Sequence, residues 1–131
     1  MLHPSQFELH GAWIAFQLND QPIPTQSDGD FNLVALMDAA SCLILGTASI
    51  PTIPGEPSPL AAKRLLKDGQ SRANQWPRKL IVPATLAADN LVQEAARHGI
   101  QVERVAEADL QALIDDARQS FKDYFKVQPA V

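Results

Sequence analysis

Three histidines and one cysteine are the side chains of this sequence that could ligate zinc or act as base and nucleophile. His3, His10 and His98 have no second histidine four residues away, and Cys42 has no Cys-x-x-Cys partner. Zinc sites use such close spacing because neighbouring ligands must reach one ion together. Cys42 opens an apolar stretch and is predicted to be a buried core thiol. His98 is predicted to end a helix, where positive charge is favourable.

A calcium loop is the next candidate, because Asp28-Gly29-Asp30 follows Asp20 within a polar segment. Calcium loops need regularly spaced carboxylates closed by a bidentate Glu, and this segment has neither feature. Its Pro, Gly, Asp and Ser residues are those that turns favour. We therefore predict a solvated loop over 19–30.

The two tryptophans are candidates for an interaction surface. Trp13 lies on the opposite side of its predicted strand from Ile14 and Phe16, because side chains alternate along a strand. It is expected either at a binding surface, where Trp is enriched, or beneath a covering helix, and the sequence leaves both open. Trp76 lies in a polar stretch and joins the same candidate surface.

The middle of the chain is its most basic part. Lys67 follows Arg64 by three residues and Lys63 by four, so the three share one face of a predicted helix. Such a face is usually solvated, and it is also the patch that could contact phosphate. No aromatic residues are interleaved to stack on bases.

Prolines 51, 54 and 57 recur every third residue, which is the register of a polyproline II turn. A proline-binding groove of a partner could recognise that turn. A stiff connector between a strand and a helix has the same composition. The sequence therefore leaves residues 51–59 as either a connector or a recognition site.

Length and composition restrict the class of protein. The chain has 131 residues, of which 46% are hydrophobic and 20% charged, as expected for one globular domain. A net charge of −4 argues against binding to nucleic acid. We expect a single domain over 1–131, with a core from about 10 to 126 and terminal extensions at 1–9 and 127–131. No signal peptide or apolar run of about 18 residues is recognised, so a cytoplasmic location is expected.

Hydrophobic patterning predicts the elements that would position these residues. The predicted strands are 10–18, 31–37, 42–50, 80–82 and 100–105, and the predicted helices are 59–69, 85–98 and 108–125. The short link between the second and third strands implies an antiparallel hairpin, and helical crossovers force parallel pairing later. The predicted fold is therefore α/β with the order βββαβαβα, a mixed five-stranded sheet and helices on both faces.

This order resembles the ribonuclease-H-like fold, which ribonucleases H, retroviral integrases and many transposases share. An integrase core likewise opens its first strand with a tryptophan and places an Asp between the second and third strands. The stretches that carry the resemblance are Trp-Ile-Ala-Phe at 13–16, Leu-Val-Ala-Leu-Met-Asp at 33–38 and Leu-Ile-Leu-Gly at 43–46. The chain also resembles a family of uncharacterised bacterial domains, in Pro-Arg-Lys-Leu-Ile-Val at 77–82 and Gly-Ile-Gln-Val at 99–102. That second resemblance implies no activity.

The integrase resemblance implies two divalent metal ions held by carboxylates. Integrase-like members have an Asp where this chain has Phe16, and a second Asp where it has Pro83 or Ala84. Asp38 matches the turn aspartate, which is not a metal ligand in those enzymes. The other carboxylates available are those of the last helix: Glu107, Asp109, Asp115 and Asp116. If the fold is right, the hydrolytic site is lost.

We therefore expect a non-catalytic interaction module, with no cofactor or metal, that acts through an unidentified protein partner or through self-association. Uncovered edge strands favour self-association. The first alternative is a divergent metal-dependent nuclease or phosphotransfer enzyme, and the second is a weak nucleic-acid-binding protein. The candidate interaction surface comprises Trp13, Trp76, Lys63, Arg64 and Lys67, and the enzyme alternative would use Asp38, Asp115 and Asp116.

Overall fold

A computed structural model describes residues 1–24, 29–53 and 55–127 of the chain. In chain order these form β1 (Ala12–Gln17), β2 (Phe31–Asp38), β3 (Ile44–Pro51), α1 (Pro59–Ala73), β4 (Lys79–Pro83), α2 (Asp89–Arg97), β5 (Gln101–Val105) and α3 (Gln111–Val127). Short 3-10 turns, Pro4–Gln6 and Glu107–Leu110, precede β1 and α3. The order matches the predicted βββαβαβα. Asp28, considered above for calcium, and Pro54 lie outside the described residues.

The five strands form one mixed sheet in the order β3-β2-β1-β4-β5. β2 pairs antiparallel with both β1 and β3, whereas β4 pairs parallel with both β1 and β5. Trp13 of β1 is paired with Asp38 of β2 on one side and with Leu80 of β4 on the other. The prediction of an α/β fold with an antiparallel hairpin followed by parallel strands is confirmed.

Helices cover the sheet on both faces, as predicted. On one face, α1 and α2 pack on a core that includes Trp13, Leu36 and Leu80. On the other face, Leu110 and the α3 residues Leu113 and Ile114 pack on a core of alternate strand residues that includes Ile14, Phe16, Met37 and Ile81. β1 is therefore buried on both sides, which explains why its sequence is apolar at nearly every position.

The bounds of two helices differ from the prediction. Ser58 caps α1 as predicted, since its hydroxyl accepts from the backbone N–H of Ala61 at 3.1 Å. However, α1 continues through Gly69 and ends at Ala73, followed by Asn74 in the left-handed region (φ 59°). Gly69 serves close packing, as described below, rather than termination. α2 begins at Asp89 rather than near Thr85.

The proline-rich segment explains where α2 begins. The carboxylate of Glu56 accepts from the backbone N–H of Asp89 at 2.9 Å, so an acidic residue 33 positions away caps this helix. Asn90 donates from Nδ2 to the carbonyl of Pro57 at 3.0 Å, and Pro57 is buried. These contacts engage residues 56 and 57 within the protein, which favours a connector over a recognition site there.

The N-terminal segment packs on the sheet. The backbone N–H of Leu2 donates to the carbonyl of Asp109 at 2.8 Å, and Leu2 and Phe7 pack against the α3-side core. This segment, expected as a terminal extension, therefore contributes contacts to the fold. No helix in the described part of the chain is long and apolar enough to cross a membrane.

Candidate functional site

A cleft of about 310 Å³ opens where the parallel strands β1 and β4 end. The carboxyl ends of neighbouring parallel strands are where open α/β sheets place their ligands. Residues after β1 and β4 form two of its walls, and the segment entering α3 forms the third. The lining residues are Gln17, Asn19, Asp20, Pro83, Thr85, Leu86, Glu107 and Arg118.

Arg118 of α3 is the central charge of this cleft. Its Nη2 donates to Glu107 Oε1 at 2.6 Å, and its Nε donates to the carbonyl of Gln17 at 3.0 Å. The guanidinium carbon is 5.9 Å from the centre of the Phe16 ring. One cation thus joins a carboxylate, the end of β1 and an aromatic ring, and its side chain is only 22% exposed.

The second acidic residue of the cleft is also paired with a cation from α3. Lys122 Nζ lies 2.5 Å from Asp20 Oδ2. The hydrogen bond from Lys122 lowers the pKa of Asp20, and the positive charge of Arg118 acts in the same direction. Asp20 and Glu107 are therefore both paired with cations of the same helix.

Side-chain hydrogen bonds fix the two strand-end walls. Asn19 is almost fully buried; its Oδ1 accepts from the backbone N–H of Leu33 at 2.8 Å and its Nδ2 donates to Asn32 Oδ1 at 3.0 Å. Across the cleft, Arg104 donates from Nη1 to the carbonyls of Pro83 at 2.9 Å and Leu86 at 2.6 Å. These contacts hold the chain after β1 and after β4 in one conformation.

The residues of the cleft do not fit the two metal ions that the integrase resemblance implies. Phe16 is fully buried in the α3-side core, and Pro83, the last residue of β4, is buried beside Val105. The remaining carboxylates already contact Lys122 and Arg118. Within residues 1–24, 29–53 and 55–127, no three His, Cys, Asp or Glu side chains are grouped to hold a metal ion.

The carboxylates named for the enzyme alternative do not line the cleft. Asp38 ends β2 at the opposite end of the sheet, and it is fully buried. Its oxygens accept from the backbone N–H of His10 and of Ser41, both at 2.9 Å, and from Ser41 Oγ at 2.7 Å. Asp38 therefore holds a turn. Asp115 and Asp116 lie exposed on α3.

Cys42 lies in the turn before β3 rather than in the strand, because its φ of 60° closes that turn. It is partly buried against the α3-side core, so the prediction of a buried strand thiol is only partly right. Burial raises the pKa of the Cys42 thiol, and the negative charges of Asp38 and Asp116 raise it further. The group is a poor nucleophile at neutral pH.

Of the two alternatives left open for Trp13, the structure shows the position beneath a helix, so Trp13 does not belong to the candidate interaction surface. Trp13 is fully buried, because α1 covers its side of the sheet. Trp76 is half-buried and stacks on His98 with ring centres 4.1 Å apart and an interplanar angle of 16°. His98 follows the last residue of α2, as predicted. The stack therefore joins the end of α2 to the segment before β4.

The basic residues divide into two groups. Arg78 pairs with Glu8, and Lys79 pairs with Glu103 at 2.7 Å. Lys63, Arg64 and Lys67 are exposed on α1, and none of them pairs with an acidic group in the described part of the chain. These three cations therefore form a patch of positive charge on α1 that the described residues leave unpaired.

Comparison with known proteins shows the fold. No family model matches the sequence, and no curated protein matches it. The structure is similar to a chain of the simian T-cell lymphotropic virus intasome, solved in complex with PP2A regulatory subunit B56 gamma, with a TM-score of 0.59 and 10% identity. The match covers all of this chain and 45% of that one. At this identity the similarity supports the integrase-like resemblance at the level of fold alone.

Proposed function

We propose that this chain is a non-catalytic interaction module with a ribonuclease-H-like fold, placed in the cytoplasm. The observation that best supports this proposal is the position of Arg118. Its guanidinium lies over Phe16 and binds Glu107 in the cleft where β1 and β4 end. A metal-dependent site needs carboxylates there to attract cations. Here a phenyl ring replaces one carboxylate, and a protein cation neutralises another.

The enzyme alternative requires existing ion pairs of the cleft to be broken. A divalent ion would have to displace Arg118 from Glu107 and Lys122 from Asp20, and it would still lack ligands at residues 16 and 83. Asp38 has no route to the cleft, because its oxygens hold the turn at the opposite end of the sheet. The resemblance to uncharacterised bacterial domains adds no activity to this proposal.

Calorimetric titration with Mn²⁺ tests the proposal, accompanied by a nuclease assay on single- and double-stranded DNA. We expect a flat titration and no cleavage. The matched variants are Glu107→Gln, inside the cleft, and Asp109→Asn, an exposed carboxylate nearby. Stoichiometric Mn²⁺ binding that Glu107→Gln abolishes and Asp109→Asn retains would overturn the proposal in favour of the enzyme.

A further inference from the structure

The uncovered edge of β3 is the starting point for a binding site on this module. β3 is the outermost strand beside β2, with a register shift near Ile44 and with Pro51 as its last residue. Between these two points, residues 46–50 include no charge and no proline. Edge strands are usually protected by Lys, Pro or a bulge pointing outward. At the other edge, β5 contains Glu103 and Arg104. β3 is therefore the edge open to another strand.

The hydrogen-bond pattern identifies which backbone groups of β3 face outward. Phe31 of β2 uses both its N–H and its C=O to bind Ile23, at 2.9 and 2.8 Å, on the side away from β3. Because bonding alternates along an antiparallel pair, the next residue, Asn32, bonds to β3 through Ile50. The same alternation turns Ala48 and Gly46 inward and points the backbone groups of Thr47 and Ser49 away from the sheet.

A groove of about 290 Å³ runs beside these outward-facing groups. Thr47, Ala48 and Ser49 form its strand side, and Leu60, Arg64 and Asp68 lie on its helix side. Leu60 is 56% exposed although it is apolar. The groove therefore offers free backbone donors and acceptors together with one apolar contact, which are the features that bind a peptide by strand addition.

The charge beside the groove selects the occupant. Arg64 and Asp68 line the groove, and Lys63 and Lys67 lie on the adjoining exposed face of α1. Asp68 is the acidic side chain of α1, so the three cations outnumber the carboxylate on this face. A segment lying along β3 would pass this face, so carboxylates on it would be favoured. A second copy is disfavoured, because pairing β3 with β3 would bring two basic α1 helices together. Nucleic acid would leave the strand edge unused and finds no exposed aromatic ring among the groove-lining residues.

We propose that an extended acidic segment of a partner protein binds as an added strand on β3, with its carboxylates toward Arg64 and the adjoining cationic face of α1. This rests on the proposed function, since it identifies the partner surface of the interaction module. The backbone groups of Thr47 and Ser49 would supply the ladder, and Leu60 would contact an apolar side chain of the segment.

A fluorescein-labelled peptide of alternating Glu and Val tests the site by anisotropy. We expect binding that weakens about tenfold in Lys63→Glu/Arg64→Glu, since each reversed contact is worth up to about 1 kcal/mol. Arg72→Glu, on the last turn of the same helix, is the matched control and should bind as the unmodified chain does. A Lys-Val peptide and a backbone-methylated Glu-Val peptide should both fail to bind.

Amide hydrogen exchange locates the peptide directly. Peptide binding should slow exchange at Thr47 and Ser49 at least about tenfold, because their outward N–H groups become ladder donors. No binding at millimolar peptide, binding without this protection, or preference for an oligothymidine of equal charge would each overturn the assignment. If the Mn²⁺ titration is flat, such a result rejects the proposed peptide site and leaves the proposal of a non-catalytic module in place. Stoichiometric Mn²⁺ binding would reject the proposal of a non-catalytic module itself.

Discussion

Gly69 of α1 lies against the indole ring of Trp13 in β1, so closely that a β-carbon on residue 69 would be 2.9 Å from Cζ3 of that ring. The same β-carbon would be 2.7 Å from Cδ2 of Leu36. Contacts this short require the neighbours to move, and an indole held in a packed core moves little. Glycine at this position allows α1 to pack closely over the centre of the sheet.

Gly69→Ala should therefore destabilise the protein although alanine favours helices. Overpacking costs about 1–3 kcal/mol, and the helix preference of alanine returns up to about 1 kcal/mol of it. Urea unfolding measures the difference, and Ser71→Ala on the exposed side of α1 should change stability by less than about 0.5 kcal/mol. A Gly69→Ala variant as stable as the unmodified chain would show that the packing is looser than described.

Arg118→Ala should destabilise the fold by about 1–3 kcal/mol, because it leaves the Gln17 carbonyl and the Glu107 carboxylate without their shared donor. Glu107→Ala should cost less, since Arg118 keeps its contact with β1. A double-mutant cycle between the two residues should give a coupling of about 0.5 kcal/mol or more. Additive effects would contradict the described pair, and Gln119→Ala on the exposed side of α3 serves as the control.

Asp38→Asn should lower the free energy of unfolding by about 1–3 kcal/mol. The carboxylate accepts from the His10 N–H at Oδ1 and from Ser41 at Oδ2, and the asparagine amide has only one accepting oxygen for these two positions. Asp115→Asn, which changes an exposed carboxylate of α3, should have little effect. Equal stability of the two variants in urea would remove the structural role assigned to Asp38.

The Asp20–Lys122 pair should make stability depend on acid pH. The pKa of Asp20 is lowered in the folded protein, so its contribution is present above the unfolded value of about 3.9 and is lost as pH falls through the folded value. Both side chains are nearly half exposed, which limits the contribution to less than about 1 kcal/mol. Urea midpoints of Asp20→Asn and of the unmodified chain should differ at about pH 6 and converge near about pH 2.

Lys122→Met provides the reciprocal test of this pair. This variant should lower the free energy of unfolding at about pH 6 by about as much as Asp20→Asn does. At about pH 2 its free energy of unfolding should equal that of the unmodified chain, because Asp20 then titrates near its ordinary pKa. Salt at about 1 M should reduce the difference in stability between this variant and the unmodified chain at about pH 6. If the two proteins still differ in stability at about pH 2, the loss of stability is due to packing of the Lys122 side chain instead of its charge.

The sheet could be predicted from the sequence because its signals are local. The alternation in β1, the apolar run of β2 and the short turn at Asp38 each lie within a few residues, and the hairpin follows from them. The burial of Trp13 could not be predicted, since it depends on α1 crossing that face of the sheet. The start of α2 was missed for the same reason, because its cap, Glu56, is remote in the chain.

The cleft was missed although its central residue leaves a trace in the sequence. Arg118 falls one turn after Ile114 and three residues before Phe121, on the apolar stripe that otherwise packs on the sheet. A charged residue within such a stripe indicates a polar partner at the edge of the core. Its partners, the Gln17 carbonyl and Glu107, come from separate parts of the chain, so only the fold brings them together.

The burial of Phe16 also restricts how sequences of this kind can change. An aspartate at this position would place a carboxylate inside the core that packs against α3. In the described cleft, Arg118 is the cation beside this position. Burying the carboxylate there would cost several kcal/mol of folding free energy. Introducing an integrase-like ligand set would also require changing Pro83 and releasing Glu107. An integrase-like set of metal ligands is therefore incompatible with the present packing of Phe16 and the present pairing of Glu107.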